Sequence, residues 1–190
     1  AFPTETAVAT VTTPVVTRPL AATHLDTTAQ LIAFTLTPPC DACTQFAAQI
    51  AAHWSAAVPL VLTTDRELPA DWTLAQPITA TPTIVLFRER REVARHRYHD
   101  VPTFWQWLGH QILSPPAQQI AYAQGTEPPF TTDQFTPPVP GSYVDPVTGV
   151  PLFRSESAFH SGSGWPSFNQ VIAGAVTLHT DWRHGMQRVE

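Results

Sequence analysis

The stretch that decides the fold is LIAFTLTPPCDACTQFAAQIAAHW, running from Leu31 to Trp54. It opens on an apolar run, Leu31 to Leu36, which reads as a short strand stopped by Pro38 and Pro39. Phe46, Ile50 and Trp54 then recur at i, i+4 and i+8 among alanines, placing one apolar stripe on a helix of about three turns. Between strand and helix lie Cys40 and Cys43, the two cysteines of the chain. A thiol at a helix N-terminus meets the positive end of the helix dipole and unpaired N–H groups, and both favour the thiolate. The thiolate is the nucleophile of disulfide exchange, and a partner three positions on can close the ring and release a mixed disulfide. Cys40, nearer the helix end, is expected to attack, and Cys43, one turn inside, to resolve. Half of a zinc site is the alternative, but no second CxxC and no close histidine pair accompany it.

Outward from this stretch the pattern stays regular as far as Leu113. Leu60-Val61-Leu62 and Thr83 to Phe87 read as buried strands, and Val93 to Tyr98 as a polar edge strand after the charged turn Arg88 to Glu92. Pro102 suits a helix start, with Phe104, Trp105, Leu108 and Ile112 following at helical spacing. Strand, helix, strand, long connection, strand, strand, helix is the resulting order. It predicts a mixed sheet with helices on both faces. Upstream, residues 1–24 form an extension in which Val11 to Val16 reads as an irregular or edge strand around Pro14. Downstream, Ser114-Pro115-Pro116 opens a linker, 114–124. Beyond it prolines and glycines punctuate short runs, nothing reads as helical, and Val171 to Leu178 is expected to be a strand bent at Gly174.

Composition limits what such a chain can be. Its 190 residues suit one large domain or two small ones, and 43% hydrophobic residues with six tryptophans argue against disorder. Twenty prolines promise long loops. A formal net charge of -5 offers no basic excess to neutralise phosphates, which sets nucleic acid aside. No apolar run approaches the ~18 residues of a membrane span. The sequence starts at Ala1 without an apolar signal core, so either a leader has been removed or it begins inside a longer protein.

Thr81-Pro82-Thr83, a proline directly before a strand and downstream of the CxxC, resembles the cis-proline loop of the thioredoxin fold. In that family the loop lies beside the cysteines and presents backbone to the substrate chain. Residues 25–113 resemble a thioredoxin-like domain in the order TPPCDAC, helix, TPTIVLF, final strand and helix. Two positions depart from the family. Pro39 stands where a tryptophan usually precedes the first cysteine, and Phe34 where a buried acid is often found. Without that acid, proton transfer from Cys43 needs another base or water.

A second set of motifs follows. GTEPPF at Gly125–Phe130, GSYVDPVTGVPLF at Gly141–Phe153, SGSGWPSF at Ser161–Phe168 and DWRHGMQRVE at Asp181–Glu190 occur in that order. They resemble the B-type methionine sulfoxide reductases, whose fold is two antiparallel sheets and which reduce the R epimer of methionine sulfoxide. The resemblance implies that a thiolate attacks the sulfoxide sulfur while the oxygen is protonated, leaving methionine and a sulfenic acid. A second thiol condenses with that acid to a disulfide, which a thioredoxin-type dithiol then reduces. Trp165 matches the tryptophan that walls the substrate methyl group. Asp145 and Thr148 fall where zinc-binding members carry their first CxxC, which implies a metal-free subgroup. Ser163 replaces the common resolving cysteine. Cys40 is then the candidate reductant, since tethering raises its effective concentration to roughly millimolar. The family's catalytic cysteine, its helping histidines and its asparagine lie beyond the segment ending at Glu190. The 190 residues are therefore expected to be the front part of a longer protein, a degenerate domain that has lost catalysis being the alternative, and Met186 and Arg188 match family positions of an uncompleted site.

The expected architecture is an α/β thioredoxin-like fold at 25–113 followed by a β-rich partial domain at 125–190. The expected activity is thiol-dependent reduction of methionine-R-sulfoxide in oxidised proteins, with the fused CxxC as reductant and no metal or cofactor. Cys40 and Cys43 form the dithiol, Pro82 its loop, and Thr81 and Trp165 the substrate contacts. Partners are oxidised methionine-containing proteins and an upstream thiol reductant. Fused arrangements of this kind resemble bacterial envelope proteins, which points to the periplasm, with the cytoplasm as the alternative. The rival functions are a stand-alone thiol-disulfide oxidoreductase and a non-catalytic oxidised-methionine binding module. The arginine cluster at Arg88, Arg90, Arg91, Arg95 and Arg97 is interleaved with Glu89 and Glu92 and reads as a solvated hairpin. His179 and His184 read as surface or packing histidines, and His53 and His110 face no recognisable partner.

Overall fold

A computed structural model describes residues 20, 25–123, 125–130, 140–177, 180–181 and 188–189. The chain divides into two compact units, 1–114 and 115–190. In the first, β1 (Ala29–Phe34), α1 (Asp41–Gln49), β2 (Leu60–Thr63), β3 (Thr83–Arg88), β4 (Arg91–Arg97) and α2 (Val101–Ile112) follow in order. The four strands form one sheet in the order β2-β1-β3-β4. β1 and β2 run parallel, with Leu31 opposite Leu60, while β3 runs antiparallel to both β1 and β4. A parallel pair joined across a helix, then a hairpin and a closing helix, is the thioredoxin-like arrangement that the motifs predict.

Burial explains why these segments are strands. Every residue of β2 is buried, as are five of the six in both β1 and β3, as expected of strands covered on both faces. Ile32, Phe34, Val61, Val85 and Phe87 join Leu25 and Trp72 in a core on one face. The alternate residues Leu31, Leu60, Leu62, Ile84 and Leu86 point to the other face. β4 alternates exposed and half-buried side chains at the sheet edge, as its polar sequence predicts. Its turn places Glu89 and Arg90 at φ 48° and 65°, the left-handed pair that a two-residue hairpin demands.

Both helices of this unit are linked through one aromatic core. Phe104 of α2 is fully buried and packs edge-on against Phe46 of α1, 5.5 Å between ring centroids. The predicted three-turn helix is shorter in the structure. α1 ends at Gln49, a 3₁₀ turn spans Ala51–His53, and that turn carries Trp54 into the core. There Trp54 stacks on Trp105 and donates from its indole N–H to the Val58 carbonyl at 3.0 Å.

The expectation of helices on both faces is not met among the described residues. Leu68, Trp72, Leu74 and Ile78, from the irregular connection between β2 and β3, cover the Phe34/Val85 face instead. Pro69 and Pro77 interrupt that connection, and it lacks a helical apolar repeat. The arginine hairpin is held by local contacts. Arg90 pairs with Asp71 at 2.9 Å, and Arg95 binds Glu92 and the carbonyls of Gln76 and Pro77.

The second unit begins with a helix that the sequence reading did not find, α3 (Pro115–Ala123), within the segment taken as a linker. Its two prolines fall in the first turn, where their missing N–H groups cost nothing. β5 (Ser142–Val144) and β6 (Pro151–Arg154) then pair antiparallel, as do β7 (Thr180–Asp181) and β8 (Arg188–Val189). The strand expected from Val171 is absent over 171–177. Gly174 instead sits at φ 75° in a turn closed by Ala175 N–H on the Ile172 carbonyl. Leu178, His179, His184, Met186 and the Val11–Val16 stretch lie outside the described residues.

Candidate functional site

Cys40 occupies the N-cap of α1, with extended backbone, and its sulfur accepts the Cys43 backbone N–H at 3.1 Å. An N-cap usually offers a side-chain oxygen to an otherwise unpaired N–H. Here sulfur takes that place, so the same donor and the helix dipole would stabilise a Cys40 thiolate. The two cysteines are joined as a disulfide. Cys40 is half-buried whereas Cys43 is 2% exposed, so the first sulfur is the more accessible of the two.

The loop before β3 comes to the same point. The Thr81–Pro82 peptide is cis, as the resemblance implies, and so is Thr37–Pro38, which the sequence reading did not anticipate. The Cys40 sulfur lies 3.8 Å from the Thr81 carbonyl oxygen and 3.9 Å from its hydroxyl. Pro82 is buried, and its carbonyl accepts the Tyr98 N–H at 3.2 Å, tying the loop to the end of β4. Cys40, Cys43, Thr81 and Pro82 are therefore brought together by the antiparallel pairing of β1 with β3.

On the far side of the disulfide a cleft of about 600 Å³ opens. Its lining combines the apolar Leu36, Pro39, Ala47 and Leu62 with Cys43 and the polar Thr44 and Asp65. Phe34, at the position of the family's acid, is wholly buried in the opposite core. Sequence reasoning missed this cleft because Asp65 lies on a connection without a motif.

In the second unit two of the quoted motifs meet. The Trp165 indole N–H donates to the Glu127 carbonyl at 2.9 Å, and the Phe130 N–H donates to the Gly164 carbonyl at 2.8 Å. GTEPPF and GWPSF are thus laced together by backbone groups, and one of these bonds fixes the half-buried Trp165 ring. Phe168 stacks on Phe153 at 4.2 Å and meets Tyr143 edge-on, which anchors GWPSF to the β5–β6 hairpin. Ser163 lies in a hydroxyl chain with Ser161 and Ser167, both steps at 2.7 Å from Ser161.

Asp145 and Thr148 close a turn. One Asp145 carboxylate oxygen accepts from the N–H groups of Val147 and Thr148 and from the Thr148 hydroxyl, at 2.7–3.0 Å. No group of three or more metal-ligating side chains occurs among the described residues, and none of their helices is long and apolar enough to cross a membrane.

Parts of the chain are similar to known proteins. Residues 113–190 match the family described as the SelR domain. The peptide methionine sulfoxide reductase MsrB of Chromohalobacter salexigens is 40% identical over 87 residues, 45% of this chain and 62% of that protein. The MsrB of Thiobacillus denitrificans is 43% identical over 86 residues, 45% of this chain and 64% of its own. Mouse mitochondrial methionine-R-sulfoxide reductase B3 is 42% identical over 79 residues, 41% of this chain and 31% of that protein. The chain thus spans less than two thirds of the length of these relatives. Among solved structures, the periplasmic thioredoxin SoxS from Paracoccus pantotrophus in its reduced form is 31% identical, with 43% of this chain and 93% of that chain covered and a TM-score of 0.40. The first unit, which carries the Cys40–Cys43 disulfide, thus has a thioredoxin-like arrangement of strands and helices, and residues 113–190 match the SelR domain and are similar to methionine sulfoxide reductases of the B type.

Proposed function

We propose that the protein serves the thiol-dependent reduction of methionine-R-sulfoxide in oxidised proteins, with the Cys40/Cys43 dithiol as its built-in reductant. The observation that carries this reading is the order along the chain: the Cys40–Cys43 disulfide, beside the cis Thr81–Pro82 peptide, precedes residues that match the SelR domain. In this reading those residues supply recognition, with the Trp165 ring, fixed by Glu127, walling the substrate methyl group.

In this proposal a cysteine thiolate of the family's catalytic type attacks the sulfoxide sulfur while the oxygen is protonated, methionine leaves, and that cysteine becomes a sulfenic acid. The Cys40 thiolate then attacks the sulfenic sulfur, and the hydroxyl takes a proton and leaves as water. The mixed disulfide lies beside the Thr81–Pro82 loop, whose backbone holds the incoming chain. Cys43 loses its proton and attacks Cys40, which releases the reduced partner and forms the Cys40–Cys43 disulfide. Two electrons pass to the target, and an upstream thiol reductant restores the dithiol. A periplasmic or envelope location belongs to the same proposal, the cytoplasm being its alternative, and fractionation of the native host decides between them.

The test uses the full-length protein with peptides bearing methionine-R- or methionine-S-sulfoxide. Turnover of the R epimer that is lost in a Cys40→Ser, Cys43→Ser protein is the expected result. Turnover at an unchanged rate in that variant rejects the fused reductant. Insulin reduction with no sulfoxide turnover in the wild type would favour a stand-alone disulfide oxidoreductase.

A further inference from the structure

Cys40 caps α1 and Thr81 lies in the loop before β3, so the gap between them depends on how the helix sits against the sheet. The pairing of β1 with β3 aligns the strands, but residues 35–40 separate the end of β1 from the helix. Within α1 the buried side chains are Cys43 and Phe46. Phe46, fully buried and just beyond Cys43, is therefore the ring that seats the helix. The loop has its own support. The Thr83 hydroxyl donates to the Ala80 carbonyl at 2.7 Å, a bond that shapes the loop without reaching the helix.

Tyr98 meets both sides of the gap. It follows β4 directly and is 3% exposed. Its backbone N–H donates to the Pro82 carbonyl at 3.2 Å, and its ring stands edge-on to Phe46 with 5.2 Å between centroids. Its hydroxyl donates to the side-chain oxygen of Gln49, the last residue of α1, at 2.9 Å. A buried tyrosine needs a partner for its hydroxyl, and Gln49 gives it one. The residue thus holds the loop by its main chain and the helix by its side chain, through Phe46 and through Gln49.

We propose that Tyr98 is a positioning residue that sets the gap between the Cys40 sulfur and the Thr81–Pro82 loop, and so favours disulfides carried on a polypeptide chain over small ones. A chain disulfide must lie against the loop backbone while its sulfur meets Cys40, so a displaced helix costs it rate. A small disulfide needs the Cys40 sulfur alone. In both cases the Cys40 thiolate attacks one sulfur, the target S–S bond breaks, and the other target sulfur leaves as a thiolate. Tyr98 touches neither sulfur of the target and acts through Phe46, Gln49 and Pro82. This inference rests on the dithiol reading above.

The experiment compares the reduced full-length protein on two disulfides: insulin, and a small aromatic disulfide whose released thiolate is coloured. Rates are taken above those of the Cys40→Ser, Cys43→Ser protein. Tyr98→Phe keeps the ring and Gln49 is exposed, so both Tyr98→Phe and Gln49→Leu retain the fold while losing the same bond. Each should slow insulin reduction by a factor of about three to ten. The double variant should be no slower than either single one. Both single variants should release the coloured thiolate at the wild-type rate and with the wild-type pH profile, because the Cys43 N–H and the helix dipole at Cys40 are untouched. Gln49→Glu, which keeps an acceptor, should reduce insulin as the wild type does. Insulin rates unchanged in Tyr98→Phe and Gln49→Leu, or both disulfides slowed equally, overturn the assignment. A wild-type protein no faster than Cys40→Ser, Cys43→Ser on either disulfide overturns the dithiol reading itself, which keeps the two failures apart.

Discussion

The Cys40 sulfur and the Thr81 carbonyl oxygen stand 3.8 Å apart although 41 positions separate them in the chain. β1 delivers the cysteine and β3 starts directly after the loop, so their antiparallel pairing, Phe34 opposite Thr83, sets the distance. The relationship gives the half-buried Cys40 a partner surface and leaves Cys43 behind it.

From that asymmetry follows the behaviour of the single cysteine variants. Cys43→Ser should accumulate a stable mixed disulfide on Cys40 with a disulfide-bearing protein, seen as one added mass per chain. Cys40→Ser should accumulate none under the same conditions, because Cys43 is 2% exposed. Equal trapping by both variants would remove the assignment of roles.

The aromatic core makes a separate prediction about stability. Phe104 is fully buried and meets Phe46, Trp54, Trp105 and Trp107. Phe104→Ala should cost about 3–5 kcal/mol in denaturant unfolding of the first unit. A loss below 1 kcal/mol would mean that α2 is not held to α1 through this ring.

His96 links stability to pH. Burial against Trp107 and Phe104 pulls its pKa below 6.5, the nearby His99 adds to this, and Asp100 opposes both. The unfolded chain therefore binds a proton at a higher pH than the folded one. The stabilising contribution is present above pH 6.5 and is lost as the pH falls from there toward the folded pKa. Asp100 has its own pKa lowered by the Thr103 N–H, and that contribution is lost only at more acidic pH. Wild-type melting temperature should fall between pH 7 and 5.5, and His96→Gln should flatten that slope. A slope unchanged in His96→Gln would contradict the assignment.

Gly164 tests the meeting of the two reductase motifs. It sits at φ 87°, and a Cβ there would lie 2.6 Å from Pro129 and 2.8 Å from the Phe130 ring. Gly164→Ala should separate GTEPPF from GWPSF and weaken binding of methionine-R-sulfoxide peptides at least as much as Glu127→Ala, whose carbonyl contact to Trp165 remains. Calorimetric titration of the three proteins measures this, and unchanged affinity in Gly164→Ala would show that the contact does not shape the Trp165 wall.

The legible parts of the molecule were those in which one local pattern had one physical outcome. Pro38-Pro39 ended a strand, Cys40 began a helix, and the alternation around β4 marked an edge. The cover of the second sheet face was not legible, because Leu68, Trp72, Leu74 and Ile78 follow no period and are placed only by the core they fill. Helix α3 was missed because Pro115-Pro116 was read as a break, although proline fits a helix's first turn as well as it fits a linker. A glycine inside an apolar run reads equally as a bend in a strand or as a turn, and the left-handed backbone of Gly174 makes it the turn. At the site, Cys40, Cys43, Thr81 and Pro82 were found by motif. Glu127 was missed as the fixer of Trp165, because a backbone carbonyl leaves no mark in the sequence.

The most direct measurement is a single turnover of the fully reduced full-length protein with a methionine-R-sulfoxide peptide, quenched in acid and mapped for disulfides by mass spectrometry. The account predicts one Cys40–Cys43 disulfide formed for each sulfoxide reduced, with no such disulfide from the S epimer. Sulfoxide reduced to methionine while Cys40 and Cys43 remain thiols would contradict it.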